Sequence, residues 1–389
     1  NMAYQNVVVL GGSGNVGREF MSQVIQQDTG FSKKHLNPTN VIALTDSKGF
    51  WFNRHGLKIQ ENPEDIPKWR DSKDEFKEYM QGLDEYNQYD NLSDLLKLIK
   101  DEGMAGEIAF VDITAGKDDL RDFHLKVIND SEETIITANK NPISIYSTDV
   151  FRTLTRYRER YGFLCTVMAG ANAVSNLLDY YDTSEIVNRI EACFSGTLGY
   201  LCAELEKGER SFSEILNDAK DMGYTEPHPK DDLNGLDVAR KLIICARTFG
   251  HNVSMPDIEL EGFIDESFLN IDDVDDFMES VKGADQEIKD KFDSAKGRGK
   301  TLRYVANFNL SENGNSTFKV GLKEVLPDSP LGTLKGSSNK VIVETDIFNG
   351  DKKYIIESPG AGPDVTAWGL RRELLSRLRG RKGGDYKLT

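Results

Sequence analysis

No run of eighteen apolar residues occurs in the 389-residue chain, so no helix is expected to cross a membrane. A strand pattern starts almost at once, at Val7-Val8-Val9-Leu10, so a secretory signal peptide is not expected ahead of it. Cysteine is scarce: Cys165, Cys193, Cys202 and Cys245 form neither a CxxC pair nor a metal-ligand spacing. A disulfide framework is therefore not expected, and reduced thiols in a cytoplasmic protein are. Basic charge is in deficit, with 48 Lys and Arg against 64 Asp and Glu, a formal net charge of −16. A surface of that sign repels phosphate backbones, so nucleic acid is not an expected partner. Any anionic ligand must be held by a local device such as a helix N-terminus.

What is present reads as two domains, since the length exceeds one ordinary core. Apolar strand patterns at 7–10, 41–44, 108–113 and 134–137 alternate with helical spacing around Phe20 to Ile25, at 92–99 and at 118–128. That alternation predicts a doubly wound parallel sheet. The stretch 61–90 is polar and acidic and reads as a surface excursion with one helix at 73–80. Beyond about residue 150 the pattern predicts a helix at 150–161 and strands at 163–167, 190–194, 302–309, 317–325 and 340–346. Helices are expected at 200–206, 212–222 and 238–249, an acidic stretch at 265–293 and a last helix at 365–379. The fold class is α/β: a Rossmann-type domain over 1–160 and an α+β domain with a mixed sheet over 161–357, which the resemblance given below makes the substrate-binding and dimerisation domain. The segment 358–380 is expected to pack back on the first domain, and 380–389 to be a flexible basic tail. No internal repeat is visible.

Gly12, Gly14 and Gly17 form G-x-G-x-x-G directly after a strand and before a helix. The first permits a tight turn, the second lets a pyrophosphate approach the backbone, and the third lets helix and strand pack closely. The loop Gly12-Ser13-Gly14-Asn15-Val16-Gly17 is thus the candidate dinucleotide site, for NAD or NADP. Asp46 ends the second strand, where a carboxylate ordinarily takes the adenosine ribose hydroxyls. It lies beyond the usual spacing of about twenty residues, and Lys48 and Arg54 lie near enough in sequence to take a 2′-phosphate. Thr114 and Lys140 follow the next two strands and fall at the same carboxyl rim, where ligands collect in open parallel sheets.

The segment Gly223-Tyr224-Thr225-Glu226-Pro227-His228-Pro229-Lys230-Asp231-Asp232-Leu233-Asn234-Gly235-Leu236-Asp237-Val238-Ala239-Arg240-Lys241 concentrates charge on an apolar background. Pro227 and Pro229 predict an extended, rigid path that holds Glu226. Asp232 is placed to cap the next helix, on which Asp237 and Lys241 lie four apart and share a face. Carboxylates beside one partly desolvated lysine suit an amino-acid substrate: they bind its ammonium while the lysine exchanges a proton with a hydroxyl. The plainer alternative is a solvated Asp–Lys pair.

This segment, with GGSGNVG, the TANK tetrapeptide (Thr137 to Lys140), FSGTLGYL (Phe194 to Leu201) and GAGPDVTAWG (Gly360 to Gly369), resembles homoserine dehydrogenases. It is especially similar to the dehydrogenase half of bacterial aspartokinase–homoserine dehydrogenase fusions. The resemblance implies reversible NAD(P)H-dependent reduction of L-aspartate 4-semialdehyde to L-homoserine, in threonine and methionine biosynthesis. It implies Lys241 as proton donor, Asp237 as its orienting partner and Lys140 near the reacting centre. Glu226, Asp232, Thr197 and Gly196 would bind substrate, and Thr114 and Gly362 would meet the nicotinamide half of the cofactor. It also implies a homodimer formed through the second sheet, and a sodium or potassium ion on the backbone carbonyls of Val167, Ala169 and Ala171. Within 164–173 the chain departs from the family: Leu164 stands at an acidic position, Met168 at a glycine and Asn172 at a proline. Trp368 likewise stands where a small residue is usual. Two other readings remain: an aspartate semialdehyde dehydrogenase-like enzyme using Cys165, and a non-catalytic dinucleotide-binding regulator.

Overall fold

The computed structural model describes residues 5–27, 39–89, 91–104 and 108–381. The chain divides into two compact units, residues 1–170 with 361–389, and residues 171–360.

Continuous apolar runs become the centre of the first sheet because helices cover both its faces. Its strands are β1 (Gln5–Leu10), β2 (Thr39–Thr45), β3 (Gly49–Phe52), β4 (Tyr86–Gln88), β5 (Ile108–Asp112), β6 (Thr134–Thr137) and β7 (Tyr161–Gly162), in the order β4-β3-β2-β1-β5-β6-β7. β1 is parallel to β2 and β5, with Val7 opposite Val41 and Ala109. β3 and β4 run antiparallel as an added edge. The sequence carries no signal for this edge, because three- and four-residue strands have too little alternation to register. The stretch 61–90 is correspondingly more than a surface excursion. Ile66, Trp69, Phe76 and Met80 are buried, and the Trp69 and Phe76 rings meet edge to face at 5.4 Å.

The helix expected at 150–161 is shorter, Thr148–Thr155, because Tyr161 is taken into β7, where it pairs with Ile135. The strand expected at 163–167 is instead a tight turn, Leu164–Thr166, closed by the backbone N–H and hydroxyl of Thr166 on the Phe163 carbonyl at 3.1 and 2.7 Å. The boundary therefore falls after 170 rather than after 160: β7 completes the first sheet. The helix Pro363–Arg381 belongs to this unit. Its Ala367, Leu370 and Leu374 enter the same core as Phe20, Met21 and Val24 of the helix Asn15–Gln27. Of the expected basic tail, residues 382–389 lie outside the described residues.

The second unit is built on a mixed sheet of β8 (Val187–Cys193), β9 (Ile258–Leu260), β10 (Thr301–Leu310), β11 (Ser316–Val325), β12 (Asn339–Thr345) and β13 (Tyr354–Ser358), ordered β13-β12-β8-β10-β11-β9. All pairings are antiparallel except β11 with β9. The acidic stretch 265–293 folds into the helices Glu266–Leu269, Val274–Ser280 and Asp285–Gly297. Most of their charges face solvent, Asp285 being turned onto Ser213, while Phe277, Ile288 and Phe292 are buried. No helix among the described residues is long and apolar enough to cross a membrane.

Candidate active site

In the first unit the glycines have separable roles. A Cβ on Gly12 would meet the Leu44 side chain at 2.4 Å, and one on Gly17 would meet the Gly12 carbonyl oxygen at 2.5 Å. Both allow the helix to close on the strands. A Cβ on Gly14 would meet only the Gly11 oxygen, at 3.4 Å, so this backbone lies open for a ligand to approach. The left-handed residue of the turn is Gly11 (φ 82), one place before the motif, with its N–H on the Thr45 hydroxyl at 3.0 Å. Arg18, which sequence reasoning passed over, is buried beneath the loop. Its guanidinium donates to the Ser13 carbonyl at 2.7 Å and to the Asn15 side chain at 3.0 Å.

A cavity of about 710 Å³ opens over this loop. Ser13, Gly14, Asp46 and Thr114 line it; Gly12, Asn15, Val16, Gly17, Lys140 and Gly362 are not among its lining residues. An open glycine backbone, a helix N-terminus and a cavity at the carboxyl ends of β1, β2 and β5 fit a dinucleotide.

Thr114 is held from below. Asp112, fully buried at the end of β5, accepts from the Thr114 N–H at 2.9 Å and hydroxyl at 2.7 Å. Its second oxygen faces His124 Nε2 at 3.1 Å and accepts from the Thr137 hydroxyl at 3.2 Å. The other ring nitrogen of His124 lies 2.9 Å from the Tyr161 hydroxyl. Burial alone would raise the Asp112 carboxyl, but His124 and the Thr114 donors outweigh it and hold it below the ordinary value. Asn139 ties the rim together, donating to Thr114 Oγ1 at 3.3 Å and to the Gly116 carbonyl at 3.0 Å. Lys140 comes next, at the same rim, before the short helix Asn141–Ser144. Asp112 lies inside an apolar strand, and that was the signal available for this network.

Asp46 does line the cavity, but its carboxylate is already engaged. Oδ1 accepts from the Lys48 N–H at 2.8 Å, the Gly49 N–H at 3.0 Å and the Tyr86 hydroxyl at 2.8 Å, and Oδ2 faces Lys77 Nζ at 2.8 Å. Arg54, considered above for a 2′-phosphate, is paired with Glu102 at 3.1 Å.

In the second unit the helix Leu236–Thr248 carries the expected pair. Lys241 Nζ lies 2.7 Å from Asp237 Oδ2 and donates to the Phe194 carbonyl at 2.7 Å. The Lys241 side chain is 12 % exposed and that of Asp237 39 %, so the ammonium is largely withdrawn from water while its partner stays wet. Three residues beyond Phe194, Thr197 donates to the Tyr224 carbonyl at 2.6 Å and to Asp232 Oδ1 at 3.0 Å. Asp232 Oδ2 accepts from the Glu226 N–H at 2.8 Å. The 194–197 stretch thus links Lys241 and Asp237 to Asp232 and Glu226. Gly196 opens the helix Gly196–Lys207, where a Cβ would press on the Ser337 carbonyl oxygen at 3.0 Å.

Two details differ from expectation. Asp232 does not cap the helix Leu236–Thr248; Gly235 does, at φ 72, leaving Asp232 in the short helix Lys230–Leu233. Pro229 is helical rather than extended, and the chain bends at Pro227 and His228, so the 226–229 path is not the extended one expected. Burial, reinforced by Glu226 and Asp237, pushes the Asp232 carboxyl up to about 6 against the hydrogen bonds it accepts.

Around 164–170, Val167 is buried, and Met168 and Ala169 have φ of 53 and 22. The Gly170 carbonyl accepts from Arg372 at 3.2 Å, and that guanidinium stacks on Trp368. Leu164 donates its N–H to the buried carboxylate of Glu373 at 3.1 Å. Ala171 starts the second unit. Cys165 is buried, and burial raises its thiol well above the ordinary value, so it lacks the thiolate character that a nucleophile needs.

The homoserine dehydrogenase family profile matches residues 174–375, just over half of the chain. A homoserine dehydrogenase of Paracoccidioides brasiliensis is 34 % identical over 261 residues, covering 63 % of this chain and 68 % of that protein. A chloroplastic bifunctional aspartokinase/homoserine dehydrogenase 2 of Zea mays is 28 % identical over 372 residues, covering 94 % of this chain but 37 % of the relative. The chain thus spans little more than a third of such bifunctional relatives. A hyperthermophilic archaeal homoserine dehydrogenase solved in complex with NADPH shares the fold, with a TM-score of 0.69 and 20 % identity over 97 % of this chain and 98 % of that one. With its glycine loop, its mixed second sheet and the 223–241 segment in place, this chain belongs to the homoserine dehydrogenase family.

Proposed function

We propose that the protein is a homoserine dehydrogenase, interconverting L-aspartate 4-semialdehyde and L-homoserine with a nicotinamide dinucleotide. The observation that carries this reading is the withdrawn Lys241 ammonium, fixed between Asp237 and the Phe194 carbonyl and joined through 194–197 to Asp232 and Glu226. A bound nicotinamide supplies or accepts the hydride. In the reducing direction Lys241 gives a proton to the carbonyl oxygen, and Asp237 orients the ammonium; in the oxidising direction Lys241 takes the hydroxyl proton. Asp232 and Glu226 receive the substrate ammonium, with Thr197 holding Asp232 in place and Gly196 leaving room. In the first unit, Ser13 and Gly14 meet the pyrophosphate, with Gly12, Asn15, Val16 and Gly17 shaping the loop that presents them, and Thr114, Lys140 and Gly362 serve the nicotinamide half.

In the same reading the second sheet forms a homodimer, and the carbonyls of Val167, Ala169 and Ala171 seat a sodium or potassium ion. The four buried free thiols suit a cytoplasmic setting. The test is a steady-state assay with homoserine and each oxidised nucleotide, with and without added sodium or potassium. Homoserine-dependent nucleotide reduction is expected, with a higher rate when the ion is present. Nucleotide binding without turnover in either direction would identify a regulator instead.

A further inference from the structure

The carboxylate that follows β2 is not free to do what such a carboxylate ordinarily does. Asp46 has a side chain only 6 % exposed, with three donors on Oδ1 and an ammonium on Oδ2. An ionised carboxylate offers about four acceptor sites, so the ribose hydroxyls of a nucleotide would have to displace an existing partner. Lys77 also matches its charge. Lys73 lies one turn earlier on the helix Lys73–Gln81, on the same face as Lys77, and is exposed. It lines the same cavity as Asp46 and Ser47, whose side chain is also exposed. With Asp46 and Lys77 cancelling, Lys73 is left as the cation that lines the cavity beside the Ser47 hydroxyl. The other charged residues lining the cavity (Asp119, Asp122 and Lys126) come from the helix Asp118–Asp130, which follows β5 on the far side of β1.

We propose that this cavity selects a nucleotide bearing a 2′-phosphate, NADP over NAD. Lys73 and Ser47 receive the phosphate, and Lys77 is the positioning residue that withdraws Asp46 from the ribose. Charge-assisted contacts to phosphate are the stronger kind, and a bare 2′-hydroxyl offers Lys73 no opposite charge. The inference rests on the dinucleotide reading of the cavity given above.

The experiment is calorimetric titration of the full chain with NADP⁺, NAD⁺, 2′,5′-ADP and 5′-AMP at low ionic strength, for wild type, Lys73→Ala and Lys77→Met. NADP⁺ is expected to bind wild type at least about tenfold tighter than NAD⁺. Lys73→Ala should weaken NADP⁺ and 2′,5′-ADP about tenfold while changing NAD⁺ and 5′-AMP less than about twofold. Lys77→Met, which uncovers the Asp46 charge, should also narrow the preference. Lys73 is exposed, and matching melting curves for its variant confirm that the fold is intact. Equal affinity for the two dinucleotides, or equal weakening of both by Lys73→Ala, overturns the selectivity while leaving the dinucleotide site standing. Failure of all four compounds to bind overturns both.

Discussion

Asp232 titrates in a useful range because it is buried beside Glu226 and Asp237, with its carboxyl pushed up to about 6. Only the ionised form attracts a substrate ammonium. The kcat/KM for homoserine, which reports groups in the free enzyme, should therefore fall as the pH drops through about 6. Asp232→Asn should lower kcat/KM at every pH and remove that acid limb; an unchanged limb in the variant would assign it elsewhere. Stability runs the other way. The carboxyl is raised in the fold from 3.8, so its protonated form favours the folded state. That contribution is present below pH 3.8 and is lost as the pH rises through about 6. Asp232→Asn should flatten this part of a melting-temperature profile measured against pH. Lys241 and Asp237 were legible in the sequence because a four-residue spacing on a helix is a local fact. The Phe194 carbonyl that fixes Lys241, and Thr197 that holds Asp232, arrive from another helix start and leave no trace in spacing.

The same contrast holds for strands and helices. The glycine turn after β1 could be read directly, since three glycines between an apolar run and a helix leave few alternatives. The short edge strands β3 and β4 could not, and with them went the environment of Asp46, whose partners Lys77 and Tyr86 lie 31 and 40 residues on. The support beneath Thr114 is also assembled from separate elements: Asp112 ends β5, His124 lies on the following helix and Tyr161 is in β7. Removing the buried carboxylate leaves its donors, the Thr114 N–H and hydroxyl and the Thr137 hydroxyl, without their acceptor, and an unsatisfied buried polar group typically costs about 1–3 kcal/mol. Asp112→Ala should therefore destabilise the first unit by about that amount, read as a lower denaturant midpoint for its unfolding. It should weaken nucleotide binding while leaving the Lys241–Asp237 pair in the second unit untouched. A variant with wild-type stability would show that the network is incidental.

Chain order and spatial grouping part company at the C-terminus. The sequence suggested a returning segment, but not how much of the first core depends on it. The helix Pro363–Arg381 supplies Ala367, Leu370 and Leu374 to that core, and Gln23 donates to the Asp364 carbonyl at 3.0 Å. Its Glu373, fully buried, is bound by Arg377 at 3.0 Å and by the Leu164 N–H. Ending the chain at residue 360 should thus expose the apolar face of the helix Asn15–Gln27. The first unit should lose cooperative unfolding and nucleotide binding, as circular dichroism and titration would record. Retained nucleotide affinity in the truncated chain would contradict that dependence.

The central claim is that Lys241 performs the proton transfer while a separate glycine-loop site holds the nucleotide. The most direct measurement compares Lys241→Ala with wild type in homoserine oxidation and, in the same samples, in nucleotide dissociation constant. Turnover should fall by about 10²- to 10⁴-fold, the usual worth of a positioned acid–base group, with the dissociation constant changed less than about twofold. Near-normal turnover, or a parallel loss of nucleotide binding, would contradict it.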